Sequence, residues 1–295
     1  MSVPRPVSAL DLARDRSRYD LDAKPERWLA GPPFDTLDIR PGRVLLFGAP
    51  PGAGKTTFAL QLVTNLLDRY PALRCVVGNV ETAAPVLLDK LLARFASVDF
   101  TAVMNRELLA IERQRIDDAL RDRANLLDRL AFLDPPFSVP NLFGVMKGFD
   151  ARLAVVDYVQ RFAADDKEDR AKLDTVMSQI RTLADQGAAV LVISSVARQK
   201  NRNGGSTYGG LTLAAFRGSA ELEFGADSAF LLHSDPVSGV SRLECVKERF
   251  GRQRDISLRF CGEYQRFDAG DLLDGFDAAP GPSTPAPAAG GTVTL

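Results

Sequence analysis

Four short stretches of the chain are almost continuously apolar: RVLLFG (43–48), RCVVGNV (74–80), RLAVVDY (152–158) and AAVLVIS (188–194). Runs without in-and-out alternation fit strands covered on both faces of a parallel sheet. Between them the apolar positions take helical spacing, in GKTTFALQLVTNLLDRY, PVLLDKLLARFASV, RELLAIERQRIDDALRDRANLL and LDTVMSQIRTLADQG, the last closed by a glycine stop. Strands alternating with helices predict a three-layer α/β core. After Asp227 the pattern turns to strand runs without long helices, SAFLLHS, SRLECVKERF, DISLRF and EYQRFD, which predict hairpins extending the sheet.

The two ends read differently from this body. From Phe276 the sequence is Pro, Ala and Gly with almost no charge, so residues 276–295 are expected to form a tail that cannot bury enough surface to order itself. Residues 1–35 are charged and interrupted by Pro, with the apolar clusters SALDLA and RWLA, which suits a docking arm, with a neighbouring subunit among the surfaces it could meet. The body is then 36–275, one main domain. Its 45% hydrophobic and 25% charged residues are ordinary globular usage. A net charge of −1 advertises no global basic field, although a local basic lining would be invisible to this sum. Cys75, Cys245 and Cys261 are odd in number and far apart, so buried reduced thiols are expected. No apolar stretch approaches the ~20 residues needed to cross a bilayer, and the N-terminus lacks the apolar core of a signal peptide. A cytoplasmic location and no membrane partner are expected.

The first apolar run leads directly into GAPPGAGKTT (48–57) and then into a helix-spaced series, Phe58, Leu60, Leu62, Val63 and Leu66. Strand, glycine-rich loop and helix in this order are the context of a phosphate-binding loop. Backbone N–H groups from Gly52 to Thr56 would point at phosphates, helped by the positive end of the helix. Lys55 would reach the outer phosphates and the Thr56 hydroxyl would hold Mg²⁺. The expected nucleotide cradle is thus Pro51, Gly52, Ala53, Gly54, Lys55, Thr56 and Thr57. Ala49 stands where the strict pattern has glycine; that position is expected to open the turn, where a methyl group fits, with Gly48 beside it for flexibility.

A phosphate loop needs a second anchor for the metal. Asp157 ends the apolar run LAVVD, which puts its carboxylate at the C-terminal edge of the sheet, where open α/β sheets bind ligands. Glu81 follows the strand run CVVGNV and precedes Thr82, a helix N-cap residue type, at the same edge. From the residues alone Glu81 is either the general base for an attacking water or a first-turn acid complementing a helix dipole.

The ordered set APPGAGKTTFALQLV, NVETAAPVLLDKLLARFASV, LAVVDYVQRF, VLVISSVARQ, FRGSAELEFGADSAFLLH and VKERFGRQRDISLRFCGEYQRFD resembles the ATPase domain of DnaB-type hexameric replicative DNA helicases. The resemblance covers roughly residues 35–268. It implies a RecA-like P-loop NTPase fold, α/β, with a mostly parallel central sheet flanked by helices and extended by C-terminal antiparallel strands. It also implies an ATP hydrolase using ATP and Mg²⁺, acting on single-stranded DNA as a homo-oligomer, a hexameric ring, with a primase or loader as further partner. Glu81 lies where such helicases keep the catalytic glutamate. Arg249 lies where they keep an arginine finger for the neighbouring subunit, with Lys247 two residues earlier on the same strand face. Gln160 and Arg161 begin the loop after the metal-side strand, and residues 197–218 occupy the region of channel-facing loops. Arg161, Arg198, Lys200 and Arg202 are therefore candidate DNA contacts, although an ordinary surface loop fits the same residues.

Two departures stand out. The family's Ser-Gln at the end of the fourth strand is Ser194-Ser195 here, so sensing of the γ-phosphate by a glutamine amide at that position is not expected. A short arm stands where the family has an N-terminal helical domain, as expected of a stand-alone motor like those of plasmids, phages and other mobile elements. Two further readings share the motifs: a regulatory or scaffold ATPase switched by ATP, and a recombination accessory that coats DNA.

Overall fold

β1 (Val44–Ala49) lies near the middle of a nine-stranded sheet, and every one of its residues is buried. The computed structural model describes residues 6–162, 170–196, 199–200, 206–207, 211–212, 215–216, 220–235 and 238–270. Before β1 stands α1 (Ala9–Arg14); after it come α2 (Lys55–Arg69), β2 (Cys75–Asn79), α3 (Ala84–Ala96), α4 (Phe100–Asn105), α5 (Ala110–Asp122) and α6 (Ala124–Leu127). β3 (Leu130–Phe132), α7 (Val139–Phe149), β4 (Leu153–Asp157), α8 (Val159–Phe162), α9 (Arg170–Asp185) and β5 (Ala189–Ser195) complete the alternating part. The small hairpin β6 (Gln199–Lys200) and β7 (Ser206–Thr207), α10 (Ala220–Gly225), and β8 (Ser228–Ser234), β9 (Val240–Glu248), β10 (Ile256–Cys261) and β11 (Arg266–Ala269) follow.

The order across the sheet is β11-β10-β9-β8-β1-β5-β4-β2-β3. β8, β1, β5, β4, β2 and β3 are parallel, while β9, β10 and β11 add antiparallel hairpins. The α/β class expected from the sequence holds, with one refinement: β8 pairs parallel with β1 before it starts the first hairpin. Side chains alternate across each strand into two cores. Leu45, Phe47, Val77 and Val155 face α2, and Val44, Leu46, Val76 and Val156 face α7 and α9. A satellite core joins α3 to α4 and α5.

The run RELLAIERQRIDDALRDRANLL, expected as one helix, starts late and is split: Arg106 caps the end of α4 in the left-handed region at φ 63°, α5 begins only at Ala110, and Arg123 separates it from α6. The core also takes in Trp28, Ala30 and Phe34, upstream of residue 36, with Trp28 bridged to Ile39. By contrast α1 buries none of its residues, and Leu10 is 57% exposed. The three cysteines are free thiols. The expected tail, 276–295, lies outside the described residues.

Candidate nucleotide-binding site

The C-terminal ends of β1, β5, β4 and β2 meet at a cleft of about 1060 Å³. β1 leads into it without a break. Ala49 is the strand's last residue, paired in register with Ser195 and packed in the core at 1% exposure, so it does not open the turn as expected. A small apolar residue serves there because the position is strand interior. Gly48 is needed for space, not flexibility: a Cβ on it would stand 2.5 Å from the Phe216 ring. The loop's bends come later, at Gly52 (φ 79°) and Gly54 (φ 85°), the latter the N-cap of α2. Pro51, Gly52, Gly54, Lys55, Thr56 and Thr57 line the cleft, whereas Ala53 is buried beneath it.

The side chains divide the work. Lys55 Nζ donates to its own loop at Pro50 O, 3.2 Å away. Thr56 Oγ1 donates to Asp157 Oδ2 at 2.7 Å. Thr57 turns its hydroxyl away, to Gln265 Oε1 on the turn between β10 and β11 (2.6 Å), which also accepts from Lys90 Nζ of α3 (2.7 Å). Thr57 would therefore contribute to nucleotide binding through its backbone.

Asp157 is 2% exposed at the end of β4. Burial pushes its carboxyl up to about 6, against the pull of the Thr56 hydrogen bond and the charge of Lys55; the nearby Glu81 charge adds to the rise. Among the described residues no cation is paired to this carboxyl. A buried carboxylate so placed, facing a threonine hydroxyl, fits a hard oxygen-seeking cation such as Mg²⁺, which takes few protein ligands beside phosphate and water. Asn79, paired with Asp157 in register, is a site residue that the sequence reading misses. Its Nδ2 donates to Asp157 Oδ2 (2.6 Å), while its Oδ1 accepts the backbone N–H groups of Glu81 (3.0 Å) and Thr82 (2.7 Å). One amide thus ties the metal-side acid to the segment carrying Glu81. The signal is legible in principle: a polar residue closing an apolar strand. Glu81 itself is exposed on the rim of the cleft. Thr82, the expected N-cap of α3, does not hold that place; Ala83 does, with Pro85 in the first turn.

The short Ser195 is met by Gln160, whose Oε1 accepts from Ser195 N (3.2 Å) and whose Nε2 donates to Ser194 Oγ (2.7 Å). Gln160 and Arg161 both line the cleft. Arg198 and Arg202 lie outside the described residues; Lys200 is placed by its backbone in β6, paired with Ser206 of β7.

Arg249 stands at the opposite edge of the sheet. It donates to Asp227 Oδ1 at 3.2 Å, and Asp227 Oδ2 accepts from Arg181 (2.8 Å) and from the backbone N–H of Val44, the first residue of β1 (3.0 Å). The length of β1, roughly 17 Å at ~3.3 Å per residue, separates that point from Ala49. Arg249 cannot serve the phosphate loop of its own chain. Lys247 reaches the same side, where its Nζ donates to the carbonyls of Glu223 and Ala226 at the end of α10, and Arg249 Nη2 adds a bond to Phe224 O (3.1 Å).

A strand, a glycine-bent loop and a helix beginning Lys-Thr, with an acid on a nearby parallel strand facing that threonine, define a P-loop protein of the RecA-like α/β type. The family model for the DnaB-like helicase C-terminal domain matches residues 35–269, and the chain belongs to that family. The replicative DNA helicase DnaB of Haemophilus influenzae is 26% identical over 251 residues, which take in 79% of this chain and 52% of that protein. The DnaB of Pasteurella multocida is 26% identical over 258 residues, 80% of this chain and 54% of that one. The chain thus spans about half the length of the curated relatives it matches. Among solved structures, one ATPase domain superposes with a TM-score of 0.67 at 18% identity, covering 78% of this chain and 86% of that one. A DnaB-like replicative helicase, solved with its interactions with primase, gives 0.68 at 18% identity over 79% of this chain and 58% of that one. These likenesses show the fold.

Proposed function

We propose that the chain is an ATP-dependent DNA motor, a ring helicase that hydrolyses ATP to translocate on single-stranded DNA. The observation that carries this reading is the linked set Thr56, Asp157, Asn79 and Glu81 in one cleft beside the phosphate loop. The loop N–H groups and Lys55 bind and orient the triphosphate. Thr56 and Asp157 would hold Mg²⁺, which when bound neutralises charge on the phosphate oxygens. Glu81 orients a water and takes its proton as the water oxygen bonds to the γ-phosphorus; the bond to the β,γ-bridging oxygen breaks and ADP leaves with that electron pair. Arg249 acts on a neighbour's site, since its own loop lies beyond its reach, and its guanidinium stabilises transferring charge only after assembly.

The reading extends to a homo-oligomeric, hexameric ring, a primase or loader partner, a cytoplasmic location, and an N-terminal arm, upstream of Trp28, that docks α1 on a neighbour. Among the described residues no helix is long and apolar enough to cross a membrane. Arg198, Lys200 and Arg202 are proposed to contact DNA phosphates. The test is the ATPase rate with and without single-stranded DNA, with mass measured in the presence of ATP. Stimulation and a multimer are expected; a nucleotide-dependent multimer without stimulation would favour an assembly switch, and stimulation without unwinding of a forked duplex a DNA-coating accessory. Mixing the inactive Arg249→Ala and Glu81→Gln chains should restore partial turnover, and its absence would remove the finger acting between subunits.

A further inference from the structure

α8 is one turn, Val-Gln-Arg-Phe, with its outer residues buried and its inner ones facing the cleft. Val159 is fully buried, and the ring tip of Phe162 lies over Gly78 of β2, where a Cβ would stand 2.5 Å from it. Phe137 packs on the same ring at 6.1 Å. Gln160 then grips the end of β5 through Ser194 and Ser195, which fixes the turn. Among the described residues three cations line the cleft. Lys55 is held by Pro50 O, and Lys90 by Gln265 and the Phe100 ring. Arg161 is exposed, and its guanidinium has no hydrogen bond or ion pair with a described residue.

The order along the sheet edge says what that charge faces. β5 lies between β1 and β4, and Gln160 binds its last residues, so the ridge of Ser195 and Gln160 flanks the phosphate loop and the Thr56–Asp157 pair at the same sheet edge. A triphosphate running from the loop toward a cation at Thr56 and Asp157 would present its last phosphate to this ridge. Ser195 offers only a short hydroxyl there, whereas the adjoining turn carries a guanidinium, permanently charged and forked to match phosphate oxygens.

We propose that Arg161 reads the terminal phosphate of the nucleotide bound in its own chain, supplying from α8 the reach that Ser195 lacks, with Gln160 as its positioning residue. This rests on the nucleotide-site reading above. A DNA contact is the competing use of the same charge; the placement of Arg161 on the cleft wall favours the nucleotide.

The test compares the Mg²⁺-dependent affinity of the full chain for ADP and for the β,γ-imido analogue of ATP, by calorimetry. Arg161→Ala is expected to weaken the analogue about tenfold, equivalent to about 1.4 kcal/mol, with ADP unchanged and Arg161→Lys recovering part of the loss. Gln160→Ala should lose part of the same discrimination and add nothing in the double variant; a merely structural glutamine would weaken ADP equally. Unaltered discrimination in Arg161→Ala, including the case where only single-stranded DNA affinity falls, overturns the proposal, as does a parallel loss for both nucleotides. A wild-type chain that binds neither nucleotide overturns the site reading itself.

Discussion

Two aspartates at opposite edges of the sheet are almost equally buried, Asp157 at 2% and Asp227 at 3% exposure, and they are furnished in opposite ways. Asp227 is wedged between Arg181 and Arg249 and also accepts from the start of β1. Among the described residues Asp157 has only the neutral donors of Thr56 and Asn79, and its carboxyl is driven upward by burial. A buried acid surrounded by its own cations holds a fold together. One left short of positive charge marks a place where charge arrives with a ligand.

The difference can be broken at either end. The largest effect expected is on turnover: Glu81→Gln should retain ATP binding and lose hydrolysis by about 10²–10⁴-fold, with thermal stability unchanged because the side chain is exposed. Lys55→Ala should likewise abolish hydrolysis; turnover at the wild-type rate in either variant would move the chemistry elsewhere. Next comes Asp227→Ala, which strands two guanidiniums and the Val44 N–H and should cost about 3 kcal/mol of unfolding free energy in a denaturant titration. A variant as stable as the parent would show the Asp227 cluster to be incidental.

Asp157→Asn should do the reverse, losing hydrolysis yet stabilising the nucleotide-free chain at pH 7 by about 1–2 kcal/mol. The folded carboxyl holds its proton up to about 6, above the ordinary 3.8. Between roughly pH 4 and 6 the unfolded chain therefore releases a proton the folded chain keeps, so this group's contribution to stability is lost as pH rises through that window. The gap between wild-type and variant stability should open over that window; a gap independent of pH would refute the burial penalty. The smallest effect expected is Gln265→Ala, about 1 kcal/mol, from the loss of the bonds joining α2, α3 and the β10–β11 turn.

Most of this was legible in the sequence where the signal is local. The strands at 44, 75, 153 and 189 announce themselves because residues covered on both faces have no polar side to show. β3 is three residues long and carries no period. α7 hides behind Pro140 and two glycines, yet Pro140 sits in the first turn, where a missing N–H costs nothing, and Ser138 caps it. In the site, Lys55, Thr56 and Asp157 follow from strand, loop and spacing. Asn79, Gln265 and Lys90 do not, because each is defined by a partner brought close only by folding, 78 residues away for Asn79 and 208 from Thr57 to Gln265. The place of Arg249 at the far edge required the register of β8 and β9.

β1 has a further consequence as a mechanical part. It is a six-residue strand bonded along both sides, with the phosphate loop at one end and the Asp227 anchorage of Arg249 at the other. A strand bonded on both flanks neither stretches readily nor slides past its neighbours, so the loop and the Asp227 cluster keep a fixed spacing. The six residues of β1 thus act as a gauge block that sets the distance between the two ends.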